Sequence, residues 1–183
     1  MRNNKVFNMI LAALFASIIA ITAQISVPIG IVPATMQPTG VLLTGLILGK
    51  KWGSISTSIY VLMGAIGLPV YAGGASGFGA LFGPTGGYLF GFIAVAFVIG
   101  FIHERKQRNF FSISIAVITG AIVMLVLGMT WLKIFTGMSF LESFAVGIVP
   151  FILPNTLQIV LVIAVGMGIL KRLPKRMMER IGY

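Results

Sequence analysis

Long uncharged apolar runs dominate the chain, interrupted by short polar stretches and by segments rich in proline and glycine. The first run, residues 6–25, is about 20 residues long, enough for one helical bilayer crossing. Arg2 and Lys5 precede it, as in a signal peptide, but no A-x-A-like cleavage site follows cleanly, so a retained span is expected. Residues 27–38 contain Pro28, Pro33 and Pro38, which forbid a straight helix. A re-entrant or partly unwound segment is expected there, tolerable at membrane depth only where it is buried in protein or lines a cavity. Residues 39–49 and 52–67 flank Lys50 and Lys51. Both runs are short for independent crossings, so the pattern predicts a helical hairpin with the lysines at its tip. Residues 68–87 form a glycine-rich loop too broken for helix, and residues 88–102 and 110–132 are the fourth and fifth spans. Residues 136–143 connect to a sixth span, residues 146–170, which Pro150 and Pro154 interrupt.

Composition agrees with this reading. Of 183 residues, 58% are hydrophobic and 9% charged, where a soluble domain carries roughly a quarter charged residues. The mean hydropathy is +1.07. The pattern therefore predicts an all-α integral membrane protein of six transmembrane helices, a single domain over residues 1–183.

Charge sets the expected orientation. The net charge is +10, from 13 Lys or Arg against 3 acids. With six spans both termini share a side, and with that side cytoplasmic it collects Arg2, Lys5, Lys50, Lys51, Arg105, Lys106, Arg108, Lys171, Arg172, Lys175, Arg176 and Arg180. Lys133 alone falls outside. Such asymmetry is the positive-inside rule, so both termini are expected in the cytoplasm and the glycine-rich loop between helices 3 and 4 outside. A membrane topology accounts for the basic excess without nucleic acid, which would need a basic patch on a soluble face.

The same inventory excludes much chemistry. The chain has no Cys, no Asp, one His, and glutamates only at 104, 142 and 179. That leaves no thiolate metal site, no cysteine nucleophile, no paired-His metal site and no intramembrane carboxylate pair. No G-x-x-x-x-G-K-[ST] motif is present. An enzyme is not expected, nor is any cofactor in this chain. An autonomous channel or proton-coupled carrier is a weaker alternative, because no acid falls inside a span and no inverted halves are detectable. His103, beside Glu104 and Arg105, is expected as a solvated interfacial residue.

Candidate binding groups cluster toward the outer side. The external loop between spans three and four contains Tyr71, Gly73, Gly74, Ala75 and Ser76, and leads into the fourth span through Gly86, Gly87 and Tyr88. Glycines permit positive φ and close backbone approach, and successive free amides can cradle an anion. Gly86 and Gly87 lead into a helix, whose N-terminal amides attract a carboxylate. Uncharged polar groups inside spans stand out because they need partners: Gln24, Gln37, Asn155, Thr156 and Gln158. Asn155 and Gln158 are three apart and share a helix face, and a pocket shared with Gln37 is expected. In span one, Ala12, Ala16 and Ala20 form a small-residue stripe of the kind that admits a second helix.

Leu68-Pro-Val-Tyr-Ala-Gly-Gly, Leu81-Phe-Gly-Pro-Thr-Gly-Gly-Tyr-Leu89, Pro33-Ala-Thr-Met-Gln37 and Leu46-Ile-Leu-Gly49 together resemble the signature of the BioY family, over about residues 9–170. The resemblance implies a biotin-binding S component of an energy-coupling factor (ECF) transporter in a prokaryotic cell membrane. It implies six helices with both termini inside and an outward-facing pocket lidded by external loops. Docking onto a transmembrane T subunit would use the alanine stripe, Ala12, Ala16 and Ala20. Two cytoplasmic ATPase subunits would consume the ATP. One departure stands out: the family pattern carries an acid and, three positions on, a lysine in span six, where this chain has Asn155 and Gln158. Amides still donate to and accept from a ureido ring, so biotin or a biotin-like acid is expected, with lipoate as the alternative. The carboxylate is expected on the amides of the 83–88 turn and the N-terminus of span four, with Lys133 as the sole external cation.

Overall fold

The lysine pair does sit at a tight reversal. The structure, a computed structural model, describes residues 2–104 and 109–174. It runs α1 (Arg2–Ala23), β1 (Ser26–Val27), β2 (Ala34–Thr35), α2 (Gln37–Ala65), α3 (Gly77–Leu81), α4 (Gly86–Glu104), α5 (Phe110–Thr136), α6 (Phe140–Gly147) and α7 (Ile152–Arg172). Inside α2, Gly49 takes φ 73° and ψ −178° and folds the helix back on itself. In a straight helix Gln37 and Tyr60 would stand about 34 Å apart; here the Gln37 amide donates to the Tyr60 hydroxyl. A methyl group on Gly53 would lie 3.1 Å from the Cα of Gly45, so the two arms touch through glycine. α4 closes the tip: the Lys50 amide donates to Glu104 Oε1 at 2.8 Å, and Lys50 Nζ lies 2.9 Å from Oε2.

The first arm of the hairpin, residues 37–48, is the post of the bundle. Every residue in it except Leu43 is buried. At about 18 Å it is too short to cross a hydrocarbon core of about 30 Å alone, and its neighbours supply the rest. A methyl on Gly40 would approach Ile19 and Thr22 of α1, one on Gly45 the backbone of Ala96 in α4, and one on Gly166 of α7 the Leu46 side chain. Among the described residues, four segments are long and apolar enough to cross a membrane: Asn4–Ala23, Gly86–Glu104, Phe110–Thr136 and Phe140–Arg172. The hairpin arms complete six. Outward positions such as Ile10, Leu14, Ile122, Leu157 and Val160 are large, apolar and exposed, a surface suited to lipid rather than water.

These packings divide the described charges between two ends. Ser56, just above the tip, donates to the carbonyl of Ala12 at 2.7 Å, so α1 begins at the tip end with Lys5. Gly166 packs on Leu46, which brings Lys171 and Arg172 to that end too. Lys133 lies near the C-terminus of α5, at the other end. Arg105, Lys106, Arg108, Lys175, Arg176 and Arg180 lie outside the described residues.

Several boundaries differ from the sequence pattern. Residues 27–36 are not helical, in keeping with their prolines, but they form a β-hairpin rather than a re-entrant or partly unwound segment, and α2 begins at Gln37. Ser26 pairs with Thr35 and Val27 with Ala34 in a two-stranded hairpin, which Gly30 turns at φ 141°. The glycine-rich loop contains a 3₁₀ turn at Ala72–Gly74 and the short helix α3. The connector before span six is helical from Phe140, because Ser139 and Glu142 form a reciprocal capping box. His103 is 1% exposed, not solvated, because α4 packs its last turn against the hairpin tip.

A methyl group on Gly100 would lie 2.0 Å from the Lys50 nitrogen and 2.3 Å from the Gly49 carbonyl carbon. All of these are backbone atoms that cannot swing away. Gly100→Ala is therefore expected to destabilise the protein by about 1–3 kcal/mol, read as a lower melting temperature in detergent. Gly168→Ala, where a methyl meets nothing within 4 Å, is expected to leave stability within about 0.5 kcal/mol.

Candidate functional site

The post ends at Gln37, well short of the far end of α5, and the space beyond it is a cavity of about 230 Å³. One wall is the β-hairpin and the start of α2: Val32, Pro33, Ala34, Thr35, Gln37 and Pro38. The loop contributes Tyr71, Ala72, Ala75, Ala80 and Thr85. α4 and α5 contribute Tyr88, Leu89, Phe92, Met124 and Leu125, and the entry to α7 contributes Phe151, Pro154, Asn155 and Gln158.

Polar groups on these walls are few, and most are tied to the protein. The Thr35 hydroxyl donates to Gln37 Oε1 at 2.9 Å. The Gln37 amide donates to Tyr60, whose hydroxyl donates to the Val70 carbonyl at 3.1 Å. This relay fastens the β-hairpin corner to the loop. Tyr71 donates to the Val61 carbonyl at 2.6 Å, and Gly64 leaves room for its ring. Burial pushes the Tyr71 phenol up to about 12, so it remains a donor at neutral pH. Tyr88 donates to the Gly147 carbonyl at 2.7 Å, tying α4 to the break between α6 and α7.

Two fully buried side-chain atoms of the wall residues make no hydrogen bond. Gln158 donates through Nε2 to the Thr35 carbonyl at 2.9 Å, which leaves its buried Oε1 without a partner. Asn155 Nδ2, one helical turn earlier on the same face, also makes no hydrogen bond. Both side chains are 6% exposed. An unpaired buried amide donor beside an unpaired acceptor is costly unless something completes it.

Of the residues expected at a binding site, Gln37, Tyr71, Ala75, Tyr88, Asn155 and Gln158 are brought together here. Gly73, Gly74, Ser76, Gly86, Gly87 and Lys133 are not on the wall. Gly73 and Gly74, at φ 62° and 81°, make the turn that lets Tyr71 and Ala75 flank it. Within the 83–88 turn the Gly86 amide donates to the Gly83 carbonyl and the Tyr88 amide to that of Thr85, while the Thr85 and Gly87 amides make no such bond. Gly86 and Gly87 also allow close helix packing. A methyl on Gly87 would lie 2.1 Å from Trp131 Cβ, and the Trp131 indole donates to the Gly83 carbonyl at 2.9 Å. Lys133 is exposed on α5. Gln24 is exposed and bonds the Ala20 carbonyl, and Thr156 bonds back to Ile152. Ala12 and Ala16 are 0% and 1% exposed and Ala20 half-buried. The stripe faces the chain's own α2, so Ala12 and Ala16 offer no surface to a T subunit. The sequence reading missed Thr35, which bridges Gln37 and Gln158, and the apolar wall of Leu89, Phe92, Met124 and Phe151. Apolar side chains in apolar helices carry no signal of which face lines a cavity.

The fold and its cavity define a multi-pass membrane protein with an internal, largely apolar site of small-molecule size. Comparison with known proteins is specific. The BioY family model matches residues 1–175, and the chain belongs to the BioY family. It is 36% identical to the biotin transporter BioY2 of Lactococcus lactis subsp. cremoris, over 94% of this chain and 95% of that protein. It is 38% identical to the biotin transporter BioY of Thermotoga maritima, over 94% and 98%. A crystal structure of the S-component for biotin from an ECF-type ABC transporter superposes with a TM-score of 0.87 at 29% identity, covering 94% of this chain and 95% of that one. The family places this chain in the cell membrane as a transport protein, not an enzyme.

Tyr88→Phe removes the 2.7 Å hydrogen bond to the buried Gly147 carbonyl. We expect a loss of about 1 kcal/mol in stability, measured by thermal unfolding in detergent.

Proposed function

We propose that this chain is the substrate-binding S component of an ECF-type uptake transporter, and that its substrate is biotin. The observation that carries the reading is the unpaired donor and acceptor in an otherwise apolar cavity. A ureido ring presents a carbonyl and N–H groups side by side. Asn155 Nδ2 would donate to the ureido oxygen and Gln158 Oε1 would accept a ureido N–H. The apolar bicycle and tail suit Leu89, Phe92, Met124 and Phe151. Gln37, Tyr71 and Tyr88 shape the site rather than contact the ring through free polar atoms. Lipoate ranks lower, because a dithiolane head supplies no hydrogen-bonding group and would leave both amides unpaired.

The orientation that fits puts the hairpin tip and both termini in the cytoplasm and the cavity toward the outside. A transmembrane T subunit and two ATPase subunits would supply ATP-driven release, with no nucleotide site in this chain.

Calorimetry of the purified protein tests the ligand. Biotin is expected to bind and lipoate to give no heat, while Asn155→Leu and Gln158→Leu each weaken biotin by about 10–100-fold. Full affinity in both variants would remove the ureido reading. The chain has no cysteine, so single-cysteine labelling tests the orientation. In intact cells an impermeant maleimide is expected to label Lys133→Cys, and to label Lys51→Cys only after permeabilisation; the reverse pattern inverts the topology.

A further inference from the structure

The loop that closes the cavity lines the wall on one side and turns aromatic rings outward on the other. Its helix α3, Gly77–Leu81, is barely more than one turn long. Ala80 lies on the cavity wall, and Leu81 is 6% exposed. Phe78 and Phe82 are four positions apart, hence on one face, and they are 63% and 53% exposed. Residues 77–83 read Gly-Phe-Gly-Ala-Leu-Phe-Gly, with no side chain able to hydrogen-bond water. Two phenylalanines held side by side in the open are costly in water.

These rings continue the lipid-facing surface of the bundle. Phe78 stacks on Phe82 with centroids 6.2 Å apart, Phe82 meets Phe90 of α4 at 6.0 Å, and Phe90 meets Trp131 of α5 at 5.8 Å. Depth follows from α4. Its 19 residues extend about 28 Å, which matches a hydrocarbon core of about 30 Å. Its far end is held at the hairpin tip by the Glu104–Lys50 pair. The first turn of α4 therefore lies at the edge of the core on the cavity side, and Phe90 sits about 6 Å inside that edge. Trp131, whose indole donates to the Gly83 carbonyl at 2.9 Å, is a residue type that gathers at this level. Water still reaches the backbone at the interface, so a short helix with free ends is tolerated there.

We infer that α3 lies in the bilayer interface with lipid covering Phe78 and Phe82, so that the membrane itself forms part of the closure of the cavity. Lipid is favoured over a protein partner because the two rings run without a break into Phe90 and Trp131, with no polar rim of the kind that bounds a protein interface. Drawing α3 away from the wall would carry both rings out of lipid. None of this depends on which molecule fills the cavity.

Spin-label accessibility tests the inference in the full chain reconstituted into phospholipid vesicles. The chain has no cysteine, so Phe78→Cys, Phe82→Cys, Ile122→Cys and Lys133→Cys each give one labelling site. Ile122, 56% exposed in the middle of α5, serves as the lipid reference and Lys133 as the water reference. The readout is collision with oxygen, which partitions into lipid, relative to collision with a nickel chelate, which stays in water. At 78 and 82 this ratio is expected to be several-fold above that of Lys133→Cys and nearer the value of Ile122→Cys. A ratio nearer that of Lys133→Cys at either position places α3 in water and overturns the inference. Shielding from both probes places protein over the rings, a second copy of this chain, and overturns it equally.

Discussion

The structure depends on one short helix that lipid barely touches. Residues 37–48 are held on all sides by other helices, and the contacts are made at small residues: Gly40 on α1, Gly45 on α4, Gly53 of the returning arm on Gly45, and Gly166 of α7 on Leu46. In a bilayer the hydrophobic effect does not drive helices together, because lipid tails are as apolar as side chains. Close backbone approach and the dispersion contacts it permits must do so instead. A post about 18 Å long cannot fill a bundle whose α5 has 27 residues. The unfilled length above Gln37 is where the β-hairpin and the loop close over a cavity. The site is thus a consequence of how short the post is.

Within that cavity, polar groups are divided by task. The relay from Thr35 through Gln37 and Tyr60 to Val70 ties the hairpin to the loop. Tyr71 and Tyr88 anchor the walls to carbonyls of α2 and of Gly147. Gln158 is divided: its nitrogen donates to the Thr35 carbonyl and its oxygen has no partner in the protein. Because one of its atoms is fixed by the fold, the orientation of the other is set in advance. Down the same face of α7 the next buried residues are Val162, Gly166 and Leu170, so one helix lines the cavity at its start and the core at its end.

Much of this was legible before any coordinates. Apolar run lengths and the placement of basic residues are composition-level signals, because a bilayer imposes length and charge rules residue by residue. The i, i+3 spacing of Asn155 and Gln158 fixed their common face, and the cavity has both. The β-hairpin at 26–35 was hidden because two-residue strands leave no periodicity, and the capping box at Ser139 because its acid lay in a segment read as connector. The burial of His103 depended on how α4 meets the hairpin tip, a contact 54 residues apart between Lys50 and Glu104.

The sequence by itself determined the membrane habit, the six crossings, the hairpin at Lys50-Lys51 and the family. Each follows from local pattern or from a motif contiguous in the chain. Tertiary structure alone decided what the glycines and alanines are for. Gly86, Gly87, Ala12 and Ala16 have the composition of a cradle or a docking stripe, but small residues serve equally to bring two helices of one chain together, and only the neighbour across the gap distinguishes these uses. It also decided which polar atoms are spent inside the protein and which are left unpaired. Hydrogen bonding is a pairwise property of groups distant in sequence: Gln158 is satisfied on one side by Thr35, 123 residues away, and no reading along the chain can see that partner.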